Sequence, residues 1–291
     1  MNRIYEAVKY FKRVATREKR ILPGFIIIGA TRSGTTSLYE YLASHPSMLA
    51  PVKKETAFFN YAYNNNSNWY RMYFSTIDEK EKAENIRKNS IITGEATPSY
   101  LIDPRVPKRI LSLLPKVKLI ALLRNPIDRA ISHYHLNVLL GIEKLSFEQA
   151  VKNESERIKI SFENLENITS KDENSVSYFL RMLSFKPENY FKFSYLYSGC
   201  YYNHLKNWFD VFPREQILVI KSEDFFENPK IIFEEVQGFL ELPIIDLQKY
   251  WRAYEIKYSS VSENMKKYLQ NYFEPHNSKL YELLKMDYHW S

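Results

Sequence analysis

The sequence predicts an α/β fold in which a central, mostly parallel β-sheet is flanked by helices on both faces. Two observations carry this expectation. Short, apolar, β-branched runs recur along the chain, and each is followed by a segment whose apolar residues repeat at helical spacing. Such alternation puts parallel strands in the middle and their crossover helices outside. The 291 residues are enough for one substantial core, and 45% are hydrophobic and 15% aromatic, including 23 Tyr and 18 Phe. That composition belongs to a folded chain rather than a disordered one. One domain spanning 1–291 is therefore expected.

Residues 1–20 are basic and read as an N-terminal helical extension. Ile4, Val8, Phe11 and Val14 recur near helical spacing, so the segment is expected to pack on the domain, with peripheral contact to an anionic membrane as the alternative. It lacks the unbroken apolar run of a signal peptide or a membrane span. The run "GFIIIG" reads as a buried strand ending in glycine. In "TTSLYEYLASHP", Leu38, Tyr39 and Leu42 share a helical face that stops at Pro46. The Asn-rich "NYAYNNNSNWY" reads as an exposed loop. A second strand is expected near 90–94 in "SIITGEATP", and a helix over 104–114 leads into the strand "VKLIALLRNP". Asn125 and Pro126 suit the N-cap and first turn of the next helix. Residues 141–195 break the rhythm: they are rich in Glu, Asn, Ser and Lys and then turn aromatic, which suggests an acceptor-side insertion or lid. A last strand is expected over 216–221, with a helix from Pro229 to Leu240.

Gly29 and Gly34 have the G-x-x-x-x-G spacing of a phosphate-binding loop, between a strand and a helix as that loop requires. The next residue is Thr35, where a nucleoside-triphosphate-binding loop carries lysine, and the cation within the loop is Arg32. The fold is thus P-loop-like, with an anion cradle formed by backbone N–H groups, Arg32 and the Thr35 and Thr36 hydroxyls. The strand "LIALLRNP" ends in Arg124, where a magnesium-holding aspartate would stand in a P-loop NTPase. Ser132 follows eight residues later, two helical turns on, within reach of an anion shared with Arg124. Two phosphate sites without a metal ligand point to a nucleotide phosphorylated at both ends of its ribose. The formal net charge of +7 suits an anionic ligand.

At this point the chain resembles the PAPS-dependent sulfotransferases, in the branch of heparan sulfate and bacterial carbohydrate enzymes. The resemblance runs from "GATRSGTTSL" through "HPSMLAPVKKETAFF", "GEATPSYL", "LLRNPIDRAISHYH" and "YYNHLKNWFDVFP" to "YFEPHNSKLYELL". It implies 3′-phosphoadenosine 5′-phosphosulfate as donor, adenosine 3′,5′-bisphosphate as product and no metal. It implies Thr31, Arg32, Ser33, Gly34, Thr35 and Thr36 at the 5′-phosphosulfate, Arg124 and Ser132 at the 3′-phosphate, and Glu55 as the base that takes the acceptor proton. Arg32 stands where the family usually has lysine and would stabilise the leaving phosphate. Lys54 and Glu95 are candidates for contact with the substrate, and whether Glu95, His133 or His135 assists Glu55 stays open.

Asn60 and Ala96 replace the acidic residue and lysine of the heparan sulfate enzymes, so the acceptor hydroxyl is left at the level of a glycan or glycolipid. The tyrosines around 61–73 and 190–202 are expected to offer stacking surfaces to sugar rings. A P-loop kinase and a non-enzymatic adenine-nucleotide-binding protein remain as alternatives. A nucleic-acid partner is not expected, because no docking motif accompanies the charge. The single cysteine, Cys200, excludes an intrachain disulfide and suggests the cytoplasm, with membrane association left open.

Overall fold

A computed structural model describes residues 11–63, 67–159, 192–253 and 261–290. At its centre lies a four-stranded sheet in the order β2-β1-β3-β4, formed by β1 (Phe25–Gly29), β2 (Gly94–Ala96), β3 (Lys118–Leu123) and β4 (Ile217–Lys221). Every strand pair is parallel, with Phe25 registered against both Gly94 and Lys118, and Ile120 against Leu218. The second strand lies slightly later than the expected 90–94. Glu95 is therefore inside the strand and not beyond its end.

Helices among the described residues follow in order: α1 (Thr35–Ala43), α2 (Phe58–Tyr61), α3 (Ser67–Arg71), α4 (Ile77–Arg87), α5 (Val106–Leu113), α6 (Pro126–Leu139), α7 (Phe147–Lys152), α8 (Tyr201–Phe209), α9 (Ser222–Glu227), α10 (Pro229–Phe239) and α11 (Glu263–Leu284). Successive strand side chains point to opposite faces, so the sheet divides the apolar residues into two cores. Ile26, Ile28, Leu119, Ala121 and Leu123 enter one, closed by Val106 and Ile110 of α5, Leu205 and Trp208 of α8, and Leu280 of α11. Phe25, Ile27, Ile120, Leu122 and Ile220 enter the other, against Leu38 and Leu42 of α1 and Phe233 and Val236 of α10. A third cluster joins α6, α7 and α11 through Ile131, Phe147 and Phe273.

Two local expectations change. The Asn-rich stretch is not simply an exposed loop: α2 and α3 occupy its ends, and Asn60, Trp69 and Tyr70 are buried. Hydrophobic burial overrides its polar composition, because Phe58, Phe59, Trp69 and Tyr70 stack on one another and enter the first core. Four of the tyrosines behave in the same way, while Tyr61, Tyr63, Tyr197 and Tyr202 are partly exposed. Tyr70, Tyr73, Tyr195 and Tyr201 are all at most 1% exposed and so belong to the interior rather than to a sugar-stacking surface. At the N-terminus, Val14 packs against the first core, and Arg13 and Arg20 donate to the Phe74 carbonyl. The described part of the extension is thus packed on the domain, while residues 1–10 lie outside the described residues. So do 160–191, the greater part of the expected insertion or lid. No helix among the described residues is long and apolar enough to cross a membrane.

Candidate functional site

The C-terminal ends of β1, β3 and β4 open onto one cavity of about 320 Å³, where an open parallel sheet holds its ligands. Its walls include Arg32, Gly34, Thr35 and Thr36 from the first loop, Arg124 and Ser132 from β3 and α6, and Glu223, Phe226 and Arg252 from the later chain. Two positive-φ residues shape the loop, Arg32 at 69° and Gly34 at 93°. A Cβ on Gly34 would also meet the Phe226 ring at 2.8 Å, so glycine serves there for both conformation and space. Gly34 is the N-cap of α1 and provides no side-chain hydrogen bond. The first N–H groups of α1 have no acceptor within the helix and point towards the cavity end, as an anion requires. The loop itself is anchored from behind: Ala30 N–H donates to the Leu122 carbonyl at 2.7 Å, and the Ser222 hydroxyl to the Ser33 carbonyl at 2.9 Å.

Arg32 reaches across to α6, where its Nε donates to Ser132 Oγ at 3.0 Å, and Arg124 Nη1 donates to the Arg32 carbonyl at 3.3 Å. Arg32, Arg124 and Ser132, expected at two phosphate sites, therefore share one cavity and are linked to one another. Arg124 is placed by its neighbours: its carbonyl accepts from Tyr201 Oη at 2.9 Å, and the following Asn125 N–H donates to Glu223 Oε1 at 2.8 Å. Asn125 caps α6 through Ile127 N–H, as expected from Asn-Pro. Thr31 and Ser33 differ from their neighbours. Neither is a cavity wall; Ser33 is fully buried and its N–H donates to the Ala30 carbonyl at 3.2 Å.

Lys54 and Glu55 meet the loop from the β2 side. Lys54 Nζ lies 2.8 Å from Glu55 Oε1 and donates to Thr36 Oγ1 at 2.8 Å. The two side chains are 21% and 25% exposed, so Glu55 stands accessible beside the end of the cradle. Glu95 is fully buried; burial pushes its carboxyl above the usual carboxylate range, while hydrogen bonds from Tyr70, Thr97 and Thr56 pull the other way. His133 is also buried, and desolvation together with Arg129 and Arg32 pushes its imidazole well below the usual range. Burial thus favours its neutral form, and its ring sits edge-on against Tyr195. His135, half-buried, sets its ring against Tyr134.

Asp128, Ser222, Glu223, Phe226 and Arg252 are cavity residues that the sequence reading did not name. Asp128 had a signal, since it lies four residues before Ser132, one turn away on the same face of α6. Ser222, Glu223 and Phe226 follow the end of β4 just as Arg124 follows β3, and the same strand-end rule would have found them. Arg252, whose guanidinium lies 4.0 Å from the centre of the Phe226 ring, comes from an irregular segment with no local signal.

Comparison with known proteins agrees with this architecture. Residues 22–280 match the sulfotransferase domain family, and the chain belongs to that family. It is 31% identical to the membrane-associated sulfotransferase kil1 of Dictyostelium discoideum over 92% of its own length and 66% of that protein. It is 26% identical to the mouse heparan sulfate glucosamine 3-O-sulfotransferase 3A1 over 92% of its length and 64% of the relative. Against the human bifunctional heparan sulfate N-deacetylase/N-sulfotransferase 3 the identity is 26% over 90% of this chain and 30% of the relative. The chain thus spans between 30% and 66% of the length of these relatives. The crystal structure of a sulfotransferase from Alicyclobacillus acidocaldarius superposes with a TM-score of 0.66, at 26% identity, over 92% of this chain and 97% of that one. The P-loop kinase alternative gives way to this family membership.

Proposed function

We propose that the protein transfers a sulfuryl group from 3′-phosphoadenosine 5′-phosphosulfate to a hydroxyl of a carbohydrate or glycolipid. The observation that carries this reading is the single cavity in which Arg32, Arg124, Arg252, Ser132 and the N-terminus of α1 converge. Three guanidinium groups and a helix N-terminus suit a ligand with anionic groups at both ends. The loop from Arg32 to Thr36 would hold the 5′ end, with Thr31 and Ser33 supporting it from behind, and Arg124 with Ser132 would hold the 3′-phosphate. The donor supplies an activated sulfur whose bond to the 5′-phosphate oxygen breaks as the acceptor oxygen bonds to it.

The chain's residues then have three tasks. Glu55 accepts the acceptor proton at its carboxylate, which needs an accessible group at the end of the loop. Lys54, between Glu55 and Thr36, meets the charge that develops on the departing phosphate. Arg32 adds a second cation and, through Ser132, ties the loop to the 3′-phosphate side. The glycan reading of the acceptor draws on the heparan sulfate relatives named above. The test is transfer of labelled sulfuryl from the donor to heparan oligosaccharides, neutral oligosaccharides and galactosylceramide vesicles, with Glu55→Gln as control. Turnover with one of these acceptors, reduced at least about 100-fold in Glu55→Gln, is the expected result, within the range for general-base catalysis. Undiminished turnover in the variant would remove Glu55 from this role.

A further inference from the structure

Glu95 sits in the middle of β2, fully buried and outside the walls of the nucleotide cavity. Its Oε2 accepts from Thr97 Oγ1 at 2.7 Å, from Thr56 Oγ1 at 2.8 Å and from Thr56 N–H at 3.3 Å, and its Oε1 accepts from Tyr70 Oη at 2.6 Å. The Tyr100 hydroxyl lies 3.3 Å from Oε1 and 3.1 Å from Thr56 Oγ1. These hydroxyls also receive the backbone that follows Glu55. Ala57 N–H donates to Thr97 Oγ1, Phe58 N–H to Thr56 Oγ1 and Phe59 N–H to Tyr100 Oη, each at 3.3 Å. The consecutive backbone N–H groups of residues 56–59 thus end on Glu95 or on a hydroxyl that touches it. Ala57 adopts a left-handed φ of 53° within this stretch, a conformation that a non-glycine residue keeps only when its surroundings hold it there.

On the other side of Glu55, the Lys54 carbonyl accepts from Ala96 N–H at 3.0 Å. The pair that carries the proposed chemistry is therefore attached to β2 both before and after Glu55. Burying a carboxylate is costly unless its hydrogen bonds are made, and here both oxygens are supplied. Together these contacts, the shortest at 2.6 and 2.7 Å, define one backbone path.

We infer that Glu95 is a positioning residue for Glu55: its buried carboxylate fixes Thr56 and the start of α2, so that Glu55 and Lys54 are presented to the Thr36 end of the loop. The inference rests on the reading of Glu55 as base, and the test separates the two. It compares Glu95→Gln, Thr56→Val and Thr56→Ser in wild-type and Glu55→Gln backgrounds. The readouts are turnover with the fastest acceptor of the panel, affinity for adenosine 3′,5′-bisphosphate, and amide hydrogen exchange on the nucleotide-bound protein.

Glu95→Gln is expected to lower kcat about 100-fold, the scale of a small misplacement of a reacting group, with nucleotide affinity changed less than about twofold. It should add nothing to the loss already present in Glu55→Gln, since residues acting as a unit are non-additive. Thr56→Ser, which keeps the hydroxyl, should retain turnover that Thr56→Val loses, and this pair carries the test if Glu95→Gln fails to fold. Exchange at residues 56–59 should accelerate in Glu95→Gln while that of residues 30–36 is unchanged, a readout that needs no acceptor. Losses that multiply across the two glutamates, or unchanged exchange at 56–59, would overturn the inference. Full turnover in Glu55→Gln would refute the base assignment itself, a distinct result.

Discussion

At the residue scale, several of the candidate side chains are held by partners distant in sequence. Arg32 is held by Ser132, 100 residues away, and Lys54 by Thr36. Arg124 is fixed through its own carbonyl by Tyr201 and through Asn125 by Glu223. Hydrogen bonds to charged groups are worth about 1.5–3 kcal/mol each. Arg124→Gln is accordingly expected to weaken adenosine 3′,5′-bisphosphate binding by about 10- to 100-fold, while adenosine 5′-phosphosulfate, which lacks the 3′-phosphate, loses little. Calorimetric titration of the two nucleotides measures this. An equal loss for both would detach Arg124 from the 3′ end. Part of this arrangement was legible in the sequence, because Arg32, Arg124 and Ser132 sit at fixed offsets from strand ends. Arg252 and the burial of Glu95 were not, since each depends on chain segments brought together only by folding.

At the element scale, the strand-loop-helix units were readable because their apolar periodicity is local. β1, β3 and β4 fall where short β-branched runs end in glycine or a polar residue, and α6 begins at the Asn-Pro pair. The stretch around α2 and α3 misled because its asparagines outnumber its anchors, although four aromatic rings decide its fate. α8 carries a feature invisible to periodicity. His204 is 2% exposed, its Nε2 contacts the Tyr197 carbonyl at 2.8 Å, and burial pushes its imidazole down from 6.5 to about 4. The fold thus favours the neutral ring. The stabilising term is fully present above pH 6.5 and is lost as pH falls from 6.5 through 4. The shift corresponds to about 3 kcal/mol. His204→Gln, which keeps an N–H for Tyr197, should become less acid-sensitive than the wild type by about that amount between pH 7 and pH 4. Denaturant unfolding at the two pH values checks this; parallel losses in both proteins would contradict it. The comparison with the variant matters because Glu154, pushed up to about 7 by burial, acts in the opposite direction over the same range.

At the scale of the whole molecule, four parallel strands bring three strand ends and their loops to one cavity, while the edge strand β2 supports the Lys54–Glu55 segment. The sheet therefore separates two places: the arginine-lined cavity lies at its centre, and the proposed base is presented from the edge. This division explains why the missing lysine at Thr35 is informative. The loop is one wall of a cavity lined by Arg32, Arg124 and Arg252, and in the proposed reading it is not a weakened triphosphate loop. The central claim is that the cavity takes a nucleotide phosphorylated at both the 3′ and 5′ positions. The most direct measurement is thermal stabilisation by adenosine 3′,5′-bisphosphate compared with ATP plus magnesium at equal concentration. A ligand present at about 100 times its Kd stabilises by about 2.7 kcal/mol, so the bisphosphate should raise Tm by several degrees and ATP with magnesium by much less. A larger shift with ATP and magnesium would contradict the account.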